Sequence, residues 1–256
     1  MITNPIGVAA LMRREIYRFM SVAGQTILPP VVNSLLFMFI FGVAVGQRIT
    51  FHGTGLTYLE FIVPGLMVMH LISGSYENTS SSLFIARWHN HIQEVLLAPL
   101  SYFEMVLGLL AGGVVRGVIV CIEVFIVSVF FLHTEIYHPL LFLYFIVTIS
   151  VIFACAGMMG ALWAEDFSML STWNVYIIVP LVLLGGVFHP VSGLPVIAQK
   201  ISHFNPLFYL VSGVRYSVTG MIDVSLLICI TIAFVLSIGF FFLTVLLFKM
   251  GYKLRT

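Results

Sequence analysis

The sequence predicts an all-α polytopic membrane protein with six transmembrane helices, and three observations carry that prediction. Only 8% of the 256 residues are charged while 61% are hydrophobic; a soluble domain carries about 25% charge, so this chain lacks the polar surface to face water on every side. Its apolar residues also gather into runs of the length that reads as a membrane span. Finally, the connections between runs are short, which leaves no room for a folded soluble domain and predicts one transmembrane domain over 1–256.

The first element, residues 4–20, reads as an amphipathic interfacial helix. Asn4 before Pro5 suits an N-cap and first turn. Met12, Ile16, Phe19 and Met20 share one face and Arg14 and Arg18 another, the pattern of a helix lying in the membrane plane. A simple topogenic flank of the first span is the alternative. With no small-residue cleavage site after the arginines, the first span is expected to be a retained anchor.

Spans follow at about 27–46, 60–84, 104–132, 140–163, 170–188 and 224–248. The segment between the second and third carries Trp88, Ile92, Val95 and Leu96 on one helical face and stops at Pro99. Such a helix either docks into a groove of a partner protein or lies on the lipid surface. Residues 185–223 are broken by Gly185, Gly186, Pro190, Gly193, Pro195 and Pro206 yet remain apolar. Short re-entrant helices fit best, since irregular backbone at membrane depth must be buried in protein or line a cavity. An outer gate and a packing cap both satisfy that requirement.

Six spans place both termini on one side. The segments on that side hold Arg13, Arg14, Arg18, Arg87, Lys249, Lys253 and Arg255, whereas the opposite set holds Arg48, Lys200 and Arg215. The positive-inside rule then puts both termini in the cytoplasm.

Charges inside spans are costly, by about 2.5–3.5 kcal/mol near the centre, and often mark pathways. Glu77 and Asn78 lie in the second span and Arg116 and Glu123 in the third. Counted from the expected cytoplasmic ends, Glu77 is about 9 Å deep and Arg116 about 20 Å deep, a gap that argues against a direct pair unless the arginine snorkels. A polar step in a substrate path and an interhelical lock are the two readings, and the lock is preferred. Asn33, Trp173 and Asn174 line a cavity or serve packing, while Gly157, Gly160 and Ala161 suit close helix contact.

Several function classes are excluded or disfavoured. No GxxxxGK[ST] phosphate cradle is present, so this chain does not hydrolyse ATP itself. No GxSxG elbow appears. Cys121, Cys155 and Cys229 all sit in apolar runs without metal-binding spacing, and His89 and His91, two apart in a helix, face different directions. The near-zero net charge, without a basic stripe, argues against nucleic acid as a partner. Catalytic residues, bound metals and cofactors of this chain's own are therefore not expected.

Three stretches resemble the ABC-2 type membrane components of bacterial exporters. They are Pro64-Gly65-Leu66 followed by Ser73 to Ser82, Ile92 to Ser101 with Gly112-Gly113 and Arg116-Gly117, and Gly185 to Phe188 with Leu194-Pro195, Asn205-Pro206 and Gly213 to Tyr216. The resemblance implies a homodimer in the bacterial inner membrane that carries two copies of a separate ATP-binding subunit, where ATP and Mg would be bound. It implies a coupling helix over Arg87, Trp88, His89, His91, Ile92, Glu94, Val95, Leu96 and Leu97. It also implies short helices near the outer face, with Gly185, Gly186, Phe188, Pro195, Asn205, Pro206 and Arg215 as gate residues. Gln93-Glu94 stands where the family often has a stronger acidic pair. The function implied is export of a hydrophobic or amphiphilic substrate (a drug, lipid or lipid-linked glycan). An ATP-independent channel or secondary carrier is the rival, for which the sequence offers no inverted repeat.

Overall fold

The computed structural model describes residues 4–45, 57–132 and 136–253, and all regular structure among them is helical. Arg48 and Arg255, used above for topology, lie outside the described residues. The helices are α1 (Pro5–Met20), α2 (Ala23–Phe39, continued by a π-helical stretch Ile40–Val45), α3 (Tyr58–Trp88), α4 (Ile92–Leu97), α5 (Tyr102–Val129), α6 (Pro139–Trp163), α7 (Phe167–Trp173), α8 (Val179–Leu184), α9 (Val196–Phe204), α10 (Pro206–Thr219) and α11 (Leu226–Met250). Six candidate spans result, with α7, the π turn at 174–178 and α8 acting together as the fifth.

Local chemistry sets most of the boundaries. Thr57 with Glu60, and Ser101 with Glu104, form capping boxes that start α3 and α5. Pro139 and Pro206 occupy first-turn positions of α6 and α10, where a missing N–H costs nothing. Asp166 caps α7, and hydrogen bonds from the Ser168 hydroxyl and the Met169 N–H hold its carboxyl below the usual carboxylate range.

Helix α3 is the axis of the molecule. It packs along α5 on one side and α6 on the other, while α10 wedges between α3, α6 and α11. In its most apolar stretch α3 is 78% buried within the chain, against 17% for the first, fifth and sixth spans. Those three outer spans therefore present most of their surface to lipid or to another chain. Gly117 and Gly157 allow the close packing: a Cβ at the first would overlap Ser75, and at the second Thr79 and the Tyr76 carbonyl.

Two expectations change. Helix α3 continues to Trp88, four residues beyond the expected end at 84, because the Arg87 guanidinium donates to the terminal carbonyls of α6 at Ala161, Leu162 (3.3 Å) and Ala164 (3.3 Å). In α1 the buried side chains are Leu11, Glu15 and Phe19, with Met12 and Ile16 only partly covered and Met20 exposed. The helix docks on α5, where Gly108 and Gly112 face Leu11 and Glu15 and leave no space for a side chain.

Candidate functional site

One end of the bundle carries α1, α4, the α6–α7 connection and the C-terminal end of α11; the opposite end carries α8 to α10. Between them runs a narrow polar line on α3. Ser73, Glu77 and Ser81 recur every four residues as the incompletely buried positions of an otherwise buried helix, and Ile85 continues the line. At its centre the Arg116 Nη2 donates to Glu77 Oε2 at 3.2 Å, and the Asn174 Nδ2 donates to Glu77 Oε1 at 3.4 Å. Three helices thus converge on one carboxylate. Glu77 lies deeper than expected because the four extra residues of α3 add about 6 Å, and the long arginine side chain reaches across the gap that remains.

This ion pair is open. The Glu77 side chain is 50% exposed and that of Arg116 16%. Arg116 Nε and Asn174 Oδ1 are buried without a hydrogen-bond partner among the described residues. Glu77 lies eleven residues, or about 16 Å, from the end of α3, well within a helix longer than the ~30 Å hydrocarbon core. A half-exposed carboxylate at that depth cannot face acyl chains at low cost; it needs water or another chain beside it. Asn174 opens the π turn of the fifth span, a distortion that recurs at functional sites. Glu123, two turns further along α5, stays partly buried, and its Oε2 finds no partner among the described residues. Asn33 is exposed on α2, apart from this cluster.

A second polar cluster was not foreseen. Glu15 is fully buried yet pairs with Arg14 (3.0 Å) and Arg18 (3.3 Å) and accepts from the Ser82 hydroxyl at 2.5 Å. Arg18 also donates to the Asn78 side chain (2.9 Å) and carbonyl (2.8 Å). The interfacial helix is therefore fastened to α3 one residue from Glu77. The signal was present: an acidic residue stands in the Leu11–Glu15–Phe19 stripe, opposite glycines four apart on α5.

At α4 the predicted face divides. Ile92 and Val95 are buried against the bundle, whereas Trp88 (62%) and Leu97 (86%) are exposed and Leu96 is intermediate. The outward surface is thus Leu97 flanked by Gln93, Glu94 and His91, and Glu94 lies 3.5 Å from His91. His89 and His91 occupy the turn before α4, not a helix, with ring centroids 6.0 Å apart. No group of three or more metal-ligating side chains forms among the described residues.

Of the residues predicted near the opposite face, Gly186 and Arg215 are brought together, while Phe188, Pro195, Asn205 and Pro206 sit apart from them. The buried Arg215 guanidinium bonds Asp223 at 2.7 Å and the Gly186 carbonyl at 2.5 Å, and stacks 3.9 Å from the Phe61 ring centroid. Burial pushes this guanidinium down while Asp223 holds it up. Gly186 adopts φ 76°, which an L side chain rarely tolerates. The Phe188 ring lies tilted against Phe37 and Phe41, and its carbonyl accepts from the Tyr58 hydroxyl at 2.9 Å. Asn205 caps α10 and donates to Leu181 at 2.6 Å, with Pro206 following and Pro195 preceding α9.

Comparison with known proteins agrees with this architecture. The family model for the ABC-2 type transporter matches residues 7–219. The chain is 35% identical to the inner membrane transport permease YadH of Escherichia coli strain K12 over 252 residues, 98% of each chain. It is 23% identical to nodulation protein J of Neorhizobium galegae over 213 residues, 82% of this chain and 80% of that one. It is 26% identical to the putative transport permease ycf38 of Cyanophora paradoxa over 199 residues, 75% and 67% of the two chains. With six apolar spans and a family match over most of its length, the chain belongs to the ABC-2 type transporter family, as a membrane transport subunit whose ATPase resides in a separate partner subunit.

Proposed function

We propose that this permease works as a homodimer bound to two ATP-binding subunits, and that it exports an amphiphilic or hydrophobic substrate from the cytoplasm across a bacterial inner membrane. The observation that carries the reading is the half-exposed Glu77, held by Arg116 and Asn174 on the polar line of α3. In a single copy that line would open onto lipid. A second copy related by a two-fold axis encloses it, leaving a narrow path with polar contacts at one level and apolar walls elsewhere. Such a lining suits a substrate with a small polar head and an apolar body.

The end bearing α1, α4 and the C-terminus is the cytoplasmic one, on the excess of basic residues there: Arg13, Arg14, Arg18, Arg87, Lys249 and Lys253 against Lys200 and Arg215 among the described residues. Helix α4 is the contact for the motor, with Leu97 as the apolar knob and Trp88 beside it. Closure of the ATP-bound motors pushes α4, and Arg87 passes the movement to the end of α6. The fifth span, thinly packed and broken by its π turn, is the element that shifts at Glu77. Residues Gly185 to Arg215 form the outer lid.

Co-purification with the ATP-binding subunit, followed by ATPase assay, tests this arrangement. Two copies of each chain and substrate-stimulated hydrolysis are expected. A chain that binds no motor yet moves solute in liposomes would overturn it.

A further inference from the structure

A cavity of about 400 Å³ lies between α6, the fifth span, α10 and α11, lined almost wholly by apolar side chains including Phe153, Ala156, Leu236 and Phe240. Its lining extends along α6 from Ile152 to Trp163 and along α11 from Leu236 to Leu247. Each of these is eleven residue steps, or about 16 Å of helix. That is one leaflet of a hydrocarbon core about 30 Å thick, and the volume falls in the ~300–1,000 Å³ range of small-molecule sites.

The end of this groove nearest the last turn of α11 is marked by aromatic residues: Trp163 and Trp173 meet edge-to-face with centroids 5.5 Å apart, and Tyr252 joins them. Amphipathic rings favour the headgroup level. Immediately beyond lies a second cavity of about 440 Å³ lined by Phe84, Arg87, Trp88, Ala164, Glu165 and Lys253. The two share consecutive residues, Trp163 with Ala164 and Tyr252 with Lys253, so the apolar groove continues into a polar chamber. That chamber holds two cations and one carboxylate. Arg87 spends only Nη1 on carbonyls, leaving Nε and Nη2 without a hydrogen bond among the described residues. Lys253 bonds Glu165 at 2.9 Å, but Glu165 is 74% exposed, so an incoming phosphate can displace it.

We infer that these joined cavities hold one anionic phospholipid of the cytoplasmic leaflet, its acyl chain along α6 and α11 and its phosphate at Lys253 and Arg87. Basic pockets between spans on the cytoplasmic side suit anionic headgroups, and a bilayer acyl chain matches the length, position and polarity of the groove. The bound lipid wedges behind the fifth span, against Trp173, Ile177 and Leu181, and also touches the base of the coupling segment at Trp88. The site is distinct from the proposed path, so its test does not depend on transport.

The chain's three tryptophans, Trp88, Trp163 and Trp173, all line these cavities and report on them. The experiment places the full chain in nanodiscs of phosphatidylcholine and phosphatidylglycerol, with acyl-brominated forms of one or the other at equal mole fraction. Stronger quenching by brominated phosphatidylglycerol is expected, corresponding to about fivefold preferred occupancy, the gain of one basic residue near a headgroup. Lys253→Glu should abolish the preference. Lys253→Arg should keep it, as should Lys249→Glu, which makes the same charge change on an exposed residue lining neither cavity. Equal quenching by the two lipids in the native chain would overturn the inference. So would a preference that survives Lys253→Glu, or one lost equally in Lys249→Glu, which would reduce it to general surface charge.

Discussion

Two arginine–carboxylate pairs sit at different heights in this bundle and are built differently. Arg215 meets Asp223 at 2.7 Å with 2% of its side chain exposed, and bonds the Gly186 carbonyl while lying over the Phe61 ring. Arg116 meets Glu77 at 3.2 Å, leaves Nε unpaired, and faces a carboxylate that is half open. In the first pair each guanidinium nitrogen is buried and bonded, with only Asp223 (28% exposed) reached from outside, as expected of a structural fastener. The second keeps unspent hydrogen-bonding capacity on an open face at membrane depth, which is the condition for a group that must bind and release something.

The largest effect is expected from Arg215→Leu. It leaves the buried Gly186 carbonyl without its donor and removes the cation over the Phe61 ring, and should cost about 3–5 kcal/mol in all. Little folded chain should then survive detergent extraction, as read by size-exclusion yield. By contrast, the double change Glu77→Gln with Arg116→Leu removes both charges together, which is often near neutral for stability. Normal yield is expected, with transport reduced about tenfold or more, equal to 1.4 kcal/mol or greater in the working cycle. A double variant that fails to fold would reassign Glu77–Arg116 as a lock.

Next in size is Gly157→Val. It forces a side chain onto Thr79 and the Tyr76 carbonyl at the α3–α6 contact and should cost about 1–3 kcal/mol through overpacking. A lower midpoint of thermal unfolding checks it. The smallest effect on the membrane part itself belongs to Leu97→Glu. Leu97 is 86% exposed, so insertion and thermal stability should be unchanged while the ATP-binding subunit no longer co-purifies. Leu96, half covered by the bundle, should tolerate Leu96→Glu less well in stability.

How far the sequence was legible follows from what each signal rests on. Spans are written in runs of apolar residues, which need no tertiary information, and the cap at Asn4 is local chemistry. The resemblance to ABC-2 components, carried by Pro64-Gly65, the Ile92 to Ser101 stretch and Gly185-Gly186, anticipated the family. Pairing was less legible because it depends on register between helices. Glu77 and Arg116 looked too far apart while α3 was read as ending at 84, and what extends α3 is Arg87 capping α6, a contact across more than 70 residues. Glu15 was overlooked because an acidic residue beside arginines reads as a solvated face; only Gly108 and Gly112 on another helix reveal that it is buried. In α4, spacing placed Trp88, Ile92, Val95 and Leu96 together, but the turn at 89–91, with Asn90 at φ 61°, rotates Trp88 away from Ile92 and Val95.

In the assembled transporter the Ser73–Glu77–Ser81 line of α3 should border an aqueous path. Cysteines placed singly at these positions can be titrated with a small water-soluble methanethiosulfonate reagent, against Leu143→Cys on the outward face of α6 as the lipid-facing reference. Native Cys121, Cys155 and Cys229 are buried and give little background. Rapid modification at 73, 77 and 81, altered by ATP, is expected, with slow modification at 143. Rates at the three α3 positions no faster than at 143 would contradict it.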